Sequence, residues 1–557
     1  MKIYTGKLVF LLAMILFEVC SVRSDRVPYD YSANMECVKE PEKPLYGGGI
    51  LKDLKDTEAA KGYAGGKKLL SEKCKSAPVK GSVLKVELKK DHHYALSAWL
   101  KLSKGAGDVR AVLVTPDGKF NTAGVIVTQS DCWTMLKGGA TSYDAGKGDI
   151  FFETNVTAEV MAEGMALQPF SFDEWKDHRT ESIKKERMKK VKITVEGADG
   201  KALADAEVKL ERVAKGFPLG NAMTKEILDM PEYERWFTSR FQYATLENEM
   251  KWYSTEFHQN KEDYRVADKM VELAEKHNIS LRGHNVFWDD QTEQMEWVSK
   301  LSVPQLKEAM AKRLKNVVTR YAGKVIHWDV VNENLHFSFF EGKLGKDASA
   351  EIFKDVAKLD DKPILFMNEF NTIEQPNDPA PLPTKYLAKL NKIREYPGNG
   401  GLKYGIGLES HFSTPNIPYM RGSLDTLAQA KVPIWLTEVD VAKCPKQVEH
   451  LEEVMREGFA HPAVKGIVLW GAWHAKGCYV MCLTDNNFKN LPVGDAIDKL
   501  LHEWKAGHSG KTDSKGVLEA ELFHGEYNVT VKHNKLKDHC VQTVDLDSKA
   551  EAKIKAA

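Results

Sequence analysis

From Phe217 onward the chain repeats one unit eight times, a short apolar run followed by an amphipathic segment. The runs are FPLGNAM, FQYATLENE, LRGHNVFW, HWDVVNE, ILFMNEF, YGIGLESHF, PIWLTEVDV and VKGIVLWGAW. Segments such as EDYRVADKMVELAEKH and VPQLKEAMAKRLKNVVTRYA separate them. Alternation of this kind over about 290 residues calls for a parallel sheet with helices outside it. Eight repeats close a (β/α)8 TIM barrel, expected over residues 214–506. Nearly every run ends, on its C-terminal side, in residues able to bind hydroxyls or to do acid–base work. A barrel keeps its site at that face, whereas an open doubly wound sheet would gather polar residues at one switch point.

Two runs, HWDVVNE and PIWLTEVDV, place a glutamate after a buried apolar stretch. In HWDVVNENL, Glu333 follows a β-branched stretch with the composition of a strand buried on both faces. In PIWLTEVDV, Glu438 takes the same place about a hundred residues later. One such carboxylate is readily a solvated strand end or an ion-pair partner. A pair at the carboxyl ends of two strands of one sheet is the equipment of glycoside hydrolysis.

The 557 residues are too many for one core and point to on the order of two to four domains. Lys+Arg and Asp+Glu are both 79, so no basic field invites nucleic acid. Residues 1–24 carry Lys2 and Lys7, an apolar run from Leu8 to Phe17 and then small residues, which predicts a secretory signal peptide cleaved near Ser24. No later stretch is long and apolar enough for a membrane helix, so an extracellular soluble protein is expected, with no membrane partner. Cys37, Cys74, Cys132, Cys444, Cys478, Cys482 and Cys540 remain after cleavage, an odd count whose pairing the spacing leaves open. Cys478 and Cys482 lack a second pair at zinc-finger spacing, which argues against a metal. Asn155, Asn278 and Asn528 begin glycosylation sequons.

Around the barrel the reading is all-β. Residues 25–55 form an extended lead-in. Residues 56–172 (VLKVELKK, YALSAWLKL, VRAVLVT, AGVIVTQ, DIFFETNV) form a β-sandwich. Trp133 and Tyr143 in it could stack on sugar rings; alternatively Trp99 and Trp133 fill its core. Residues 173–190 are charged and helical in tone, a linker. Residues 191–213, two strands around ADGK, and the tail 507–557 are each too small to fold alone. Their succession resembles the opening and closing parts of one small transthyretin-like or immunoglobulin-like sandwich, interrupted by the barrel.

LENEMKW, RGHNVFW, HWDVVNE, GLESHF, WLTEVDV and LWGAW, in this order, resemble family ten glycoside hydrolases, the endo-1,4-β-xylanases. The match runs from about Thr180 to Trp504, looks most like the secreted plant branch, and the first sandwich resembles a carbohydrate-binding module of family twenty-two. The resemblance implies Glu333 as general acid/base and Glu438 as nucleophile of a retaining double displacement, with His411 orienting the nucleophile and Asn332 binding a sugar 2-hydroxyl. It also implies a sugar-binding floor of Glu247, Asn248, Lys251, His284 and Trp288, with Trp470 packing over the ring. Xylan or xylo-oligosaccharides are the implied partners of a monomer, with no cofactor or metal. A xylan transglycosylase, or a weakly catalytic wall polysaccharide-binding protein, are the alternatives. The chain departs from the family at Glu409, where Gln is common, and at Asp289 and Asp290, where a His is common. Trp473 lies in a variable segment, and Tyr479 is a candidate for the second aromatic.

Overall fold

In the computed structural model, which describes residues 26–52, 83–214, 216–536, 539–546 and 550–556, the eight apolar runs are parallel strands of one closed barrel. These are β1 (Leu219–Met223), β2 (Tyr243–Leu246), β3 (Ser280–Gly283), β4 (Val325–Asp329), β5 (Ile364–Glu369), β6 (Tyr404–Leu408), β7 (Ile434–Val441) and β8 (Val464–Leu469). Each pairs with the next, and β8 pairs with β1. β1, β6 and β7 are buried along their whole lengths, as strands between a filled barrel and a ring of helices must be. The signal-peptide segment, Cys20 and Cys74 lie outside the described residues. Among the described residues no helix is long and apolar enough to cross a membrane.

The first sandwich has a four-stranded and a three-stranded antiparallel sheet between Leu84 and Ser171. The open choice for its tryptophans falls to packing. Trp99 and Trp133 are 2% and 6% exposed and pack with Val38 and Leu45 of the lead-in, which the Cys37–Cys132 disulfide ties down. Tyr143 stays exposed.

The segment 173–190 is not a free linker. It is a helix, α1 (Phe172–Arg187), started by a capping box between Ser171 and Glu174. Its lysines face solvent, while Trp175, His178, Ser182 and Arg187 are buried. Two barrel helices receive it and the sandwich: α2 (Ile417–Leu427), after β6, and α3 (Gln447–Ala460), after β7. Trp175 donates to Glu457 at 3.1 Å, and Arg187 donates to the carbonyls of Phe459 and His461.

At the centre of this junction Lys137 of the sandwich pairs with Asp425 of α2 at 2.6 Å, both side chains no more than 3% exposed. Tyr29 of the lead-in donates to the same carboxylate, and His461 lies 3.0 Å from its other oxygen. Arg421, bridged to Glu457, lies over the Trp175 ring. The approach is close enough that a Cβ on Gly422 would sit 2.7 Å from the Gly138 Cα, so only glycines fit there.

The two small β segments share one fold. Met188–Glu196 pairs antiparallel with Val517–Phe523 and parallel with Glu551–Lys555. Glu207–Ala214 pairs with Glu526–Lys532 and His508–Lys511. Val191, Ile193, Val195 and Leu210 from before the barrel pack with Tyr527, Val529 and Val531 from after it.

Removing one member of a buried ion pair strands the other and costs about 3–5 kcal/mol. Asp425→Ala is therefore expected to loosen the sandwich from the barrel, read as a lower urea midpoint and as early proteolysis between residues 143 and 190. A variant as resistant as the parent would show that the junction rests on its apolar contacts alone.

Candidate active site

The C-terminal ends of β4 to β7 are stitched together beyond the strands themselves. The Glu333 N–H donates to the Asn368 carbonyl at 2.9 Å, the Glu409 N–H to Glu369 at 2.9 Å and the Glu438 N–H to Glu409 at 3.0 Å. Glu333 holds a φ of 57°, a left-handed conformation uncommon for its type, and Ser410 does the same at 72° beyond β6. Such strain persists where surrounding bonds over-determine it, and it gathers at functional sites.

Within this belt the Asn368 side chain reaches four residues. Its Nδ2 lies 3.0 Å from Asn332 Oδ1, 3.1 Å from Glu409 Oε1 and 2.9 Å from Glu438 Oε1. Its Oδ1 accepts from the Thr437 hydroxyl at 2.6 Å. Adjacent residues of a regular strand point to opposite faces, yet Thr437 and Glu438 both reach Asn368. The register of β7 against β8 shifts between Leu436 and Val439, the irregularity that lets them do so.

Glu333 is 8% exposed. Trp288 donates Nε1–H to its Oε2 at 2.7 Å, and Asn332 donates to Oε1 at 3.1 Å. Burial pushes this carboxyl up to about 8 against the opposing Trp288 bond, and the Glu369 and Glu438 charges add to the rise. Glu438 goes the other way. Burial raises it, but His411, whose Nε2 is 3.7 Å from Glu438 Oε2, outweighs burial together with His284 and Lys251 and leaves it below the usual glutamate value. Two carboxyl groups with proton affinities driven apart can divide acid and nucleophile roles at one pH.

The remaining predicted residues line the same face. Lys251 is buried and donates to Asn248, which also accepts from Tyr253; its ammonium lies 4.5 Å from the Trp288 ring centre. Glu247 accepts from the Asn248 amide at 3.4 Å. His284 bonds Asp329 at 2.9 Å, Asp329 also holds the buried Arg282, and the Trp470 ring meets the imidazole edge-on. Tyr479 is 74% exposed with its ring near His411, in a loop closed by the Cys478–Cys482 disulfide.

The other departures have structural explanations. Asp289 faces inward, fully buried, and accepts from the Phe340 N–H; burial raises its carboxyl to about 6. Asp290 caps a short turn, and Trp473 donates to Asn486. Asn368 was not among the predicted residues, although ILFMNEF ends in polar side chains at the site face like its neighbours. Glu369 beside it was also missed. It is fully buried and bonds His336 at 2.6 Å, while the other imidazole nitrogen lies 2.9 Å from Asp378.

Residues 208–493 match the model of Glycosyl hydrolase family 10. "Endo-1,4-beta-xylanase 4" of Arabidopsis thaliana is 37% identical over 552 residues, 95% of this chain and 94% of that protein. "Endo-1,4-beta-xylanase 5" of the same plant is 38% identical over 546 residues, 95% and 94% of the two chains. Among solved structures, xylanase 10B from Thermotoga petrophila RKU-1 in complex with xylobiose matches with a TM-score of 0.46 and 24% identity, covering 52% of this chain and 95% of that one.

Selective carboxyl labelling, with Glu333→Gln to assign the signal, is expected to show Glu333 ionising near pH 8 in the free protein. Trp288→Phe removes the donor that favours the charged form and is expected to move the midpoint higher. A midpoint in the ordinary glutamate range, about 4–5, would refute the account of its burial.

Proposed function

Since the chain belongs to glycosyl hydrolase family 10, we propose that it is a secreted, retaining endo-1,4-β-xylanase that hydrolyses plant cell-wall xylan by double displacement. The observation that carries this reading is the pair of buried carboxyl groups at the ends of β4 and β7, one driven toward its acid and the other held as its anion.

In the first step a Glu438 carboxylate oxygen attacks the anomeric carbon. The bond to the leaving glycosidic oxygen breaks, and that oxygen takes the Glu333 proton. Asn332, already hydrogen-bonded to Glu333 and Asn368, bonds the 2-hydroxyl of the reacting sugar. Esterification removes the Glu438 charge, one of the influences that keep Glu333 protonated. Glu333 therefore becomes the better base for the second step, in which it takes a proton from water as the water oxygen displaces Glu438 from the anomeric carbon. His411 holds Glu438, while Glu247, Asn248, Lys251, His284, Trp288 and Trp470 seat the sugars on the nonreducing side. The reaction requires no cofactor or metal, and one chain carries the whole site.

Glu438→Gln is expected to abolish activity on every substrate. Glu333→Ala should lose about 10²–10⁴-fold on xylan but little in the first step on aryl xylobiosides, whose leaving groups need no proton. Azide should rescue Glu333→Ala and yield the β-glycosyl azide, since a small anion needs no base. Equal losses for both variants on the aryl substrate would show the roles misassigned.

Fresh product from xylo-oligosaccharides, followed by NMR before mutarotation, should be the β-anomer. This corresponds to a carboxyl separation of about 5–5.5 Å rather than the wider gap that admits an inverting water. An α-anomer would overturn the retaining route. Longer products would mark a transglycosylase and no products a binding protein.

A further inference from the structure

We propose that Glu409 works as a neutral carboxylic acid beside the nucleophile, and that its ionisation draws His411 and Asn368 away from Glu438 and ends activity at alkaline pH. The inference rests on Glu438 being the nucleophile.

Glu409 and Glu438 are 3% and 5% exposed, and one carboxylate oxygen of each and a ring nitrogen of His411 lie within 4.8 Å of one another. The donors around them are too few for two anions. Asn368 Nδ2 has two hydrogens and faces three oxygens. With one hydrogen given to Asn332, the other is left for Glu409 and Glu438 together. The imidazole is shared in the same way, with Nε2 3.5 Å from Glu409 Oε2 and 3.7 Å from Glu438 Oε2. Its Nδ1 lies 3.0 Å from Oδ1 of the fully buried Asp440, close as an ion pair but out of hydrogen-bond alignment, and neither oxygen of that carboxylate has another partner among the described residues.

One imidazolium thus faces three carboxyl groups, from beyond β6 and from two positions in β7, with Glu333 of the β4 end close by. From the β5 side, Glu374 accepts the Ser410 and His411 N–H groups at 2.7 and 3.1 Å, placing another buried carboxyl against the backbone of this segment. Lys251 is a further cation bearing on Glu438.

Full ionisation would bury a net negative cluster with unmet acceptors, so one carboxyl keeps its proton. Glu409 is the one placed to keep it. Burial and then the charges of Glu438 and Glu333 push it well above the ordinary glutamate range. Burial raises Asp440 as well, but the His411 imidazole stands nearer to Asp440, at 3.0 Å, than to Glu409, at 3.5 Å, and opposes the rise. Glu438 is held below the ordinary glutamate range. A neutral Glu409 leaves the imidazolium and the shared N–H to the nucleophile, as the Gln common at this position in the family would. An ionised one competes for both. Glu409 is accordingly a positioning residue.

The test is the pH dependence of kcat/KM on a dinitrophenyl xylobioside. This quantity reports the step up to glycosyl-enzyme formation, and with such a leaving group it does not require the Glu333 proton. The parent enzyme is expected to fall off on the alkaline side, about tenfold per pH unit beyond the midpoint, while Glu409→Gln stays level over the same range relative to its own plateau. In a carboxyl-labelled sample the signal lost in Glu409→Gln should titrate well above the ordinary glutamate range and move to lower pH in Glu438→Gln, where the neighbouring charge is gone.

A parent profile that stays level to the pH of unfolding overturns the proposal, as does an alkaline limb that survives in Glu409→Gln. If Glu409→Gln fails to fold, the parent profile and the carboxyl titration decide. Undiminished aryl activity in Glu438→Gln would instead sink the assignment of the nucleophile and leave the proton on Glu409 to be judged by the titration alone.

Discussion

The site depends on one amide. Asn368, at the end of β5, connects residues from the ends of β4, beyond β6, and β7, and each contact needs a neighbouring strand in register. Barrel closure supplies that register, because every strand is fixed by two neighbours and no edge is left to slip. The ladder then continues through Glu333, Glu409 and Glu438, whose N–H groups bond to the chain of a neighbouring strand. The reacting carboxyls are therefore carried on hydrogen-bonded backbone rather than on loose loops. Rigidity of that kind keeps a buried acid and a buried anion from collapsing onto one another or onto water.

Polar groups inside the molecule follow one rule at two places with opposite results. At the junction of lead-in, sandwich and barrel, Lys137, Asp425, Arg421 and Glu457 are paired charge against charge, with Tyr29, Trp175 and His461 completing the hydrogen bonds. At the active site the carboxyl groups outnumber the cations facing them, and the surplus appears as raised proton affinity at Glu333 and Glu409. The first arrangement is paired in charge, leaving Arg421 Nη1 without a hydrogen-bond partner among the described residues, and specifies one docking geometry. The second stores the reactivity. The two meet on neighbouring stretches of chain, since β6 leads through Glu409 and His411 into α2, which is buried along its whole length. The sandwich thus braces the segment that holds the nucleophile's partners.

The parts legible in the sequence were those where period and position agree. Strand runs spaced by amphipathic helices gave the barrel, and glutamates at two strand ends gave the carboxyl pair, because a charge at the end of a buried run needs a reason to be there. Asn368 escaped notice because an asparagine ending an apolar run has an ordinary reading as a turn residue. Only spatial closure shows it touching three strand ends. Trp133 was ambiguous for a different reason. An aromatic residue in a short β run fits a sugar platform and a core equally well, and the lead-in that covers it is distant in sequence until the Cys37–Cys132 link is known. α1 looked like a linker because its charges dominate its composition, while the few residues that pack, Trp175 above all, find partners almost three hundred residues away.

The split sandwich shows how such distant partners become affordable. Its core takes Val191, Ile193 and Val195 from one side of the barrel and Tyr527, Val529 and Val531 from the other, so neither half has a complete face to bury alone. The entropy of closing a loop grows only with the logarithm of its length, so even a barrel-sized insertion adds little to the cost. Once the barrel has folded, that cost falls further. β1 and β8 are paired neighbours, which brings Glu207–Ala214, leading into β1, close to the helix Pro492–Trp504 that follows β8 and leads out to His508. The barrel therefore presents the two halves of the sandwich side by side, and their pairing in turn fastens the ends of the closed sheet. Each unit supplies the constraint that the other lacks.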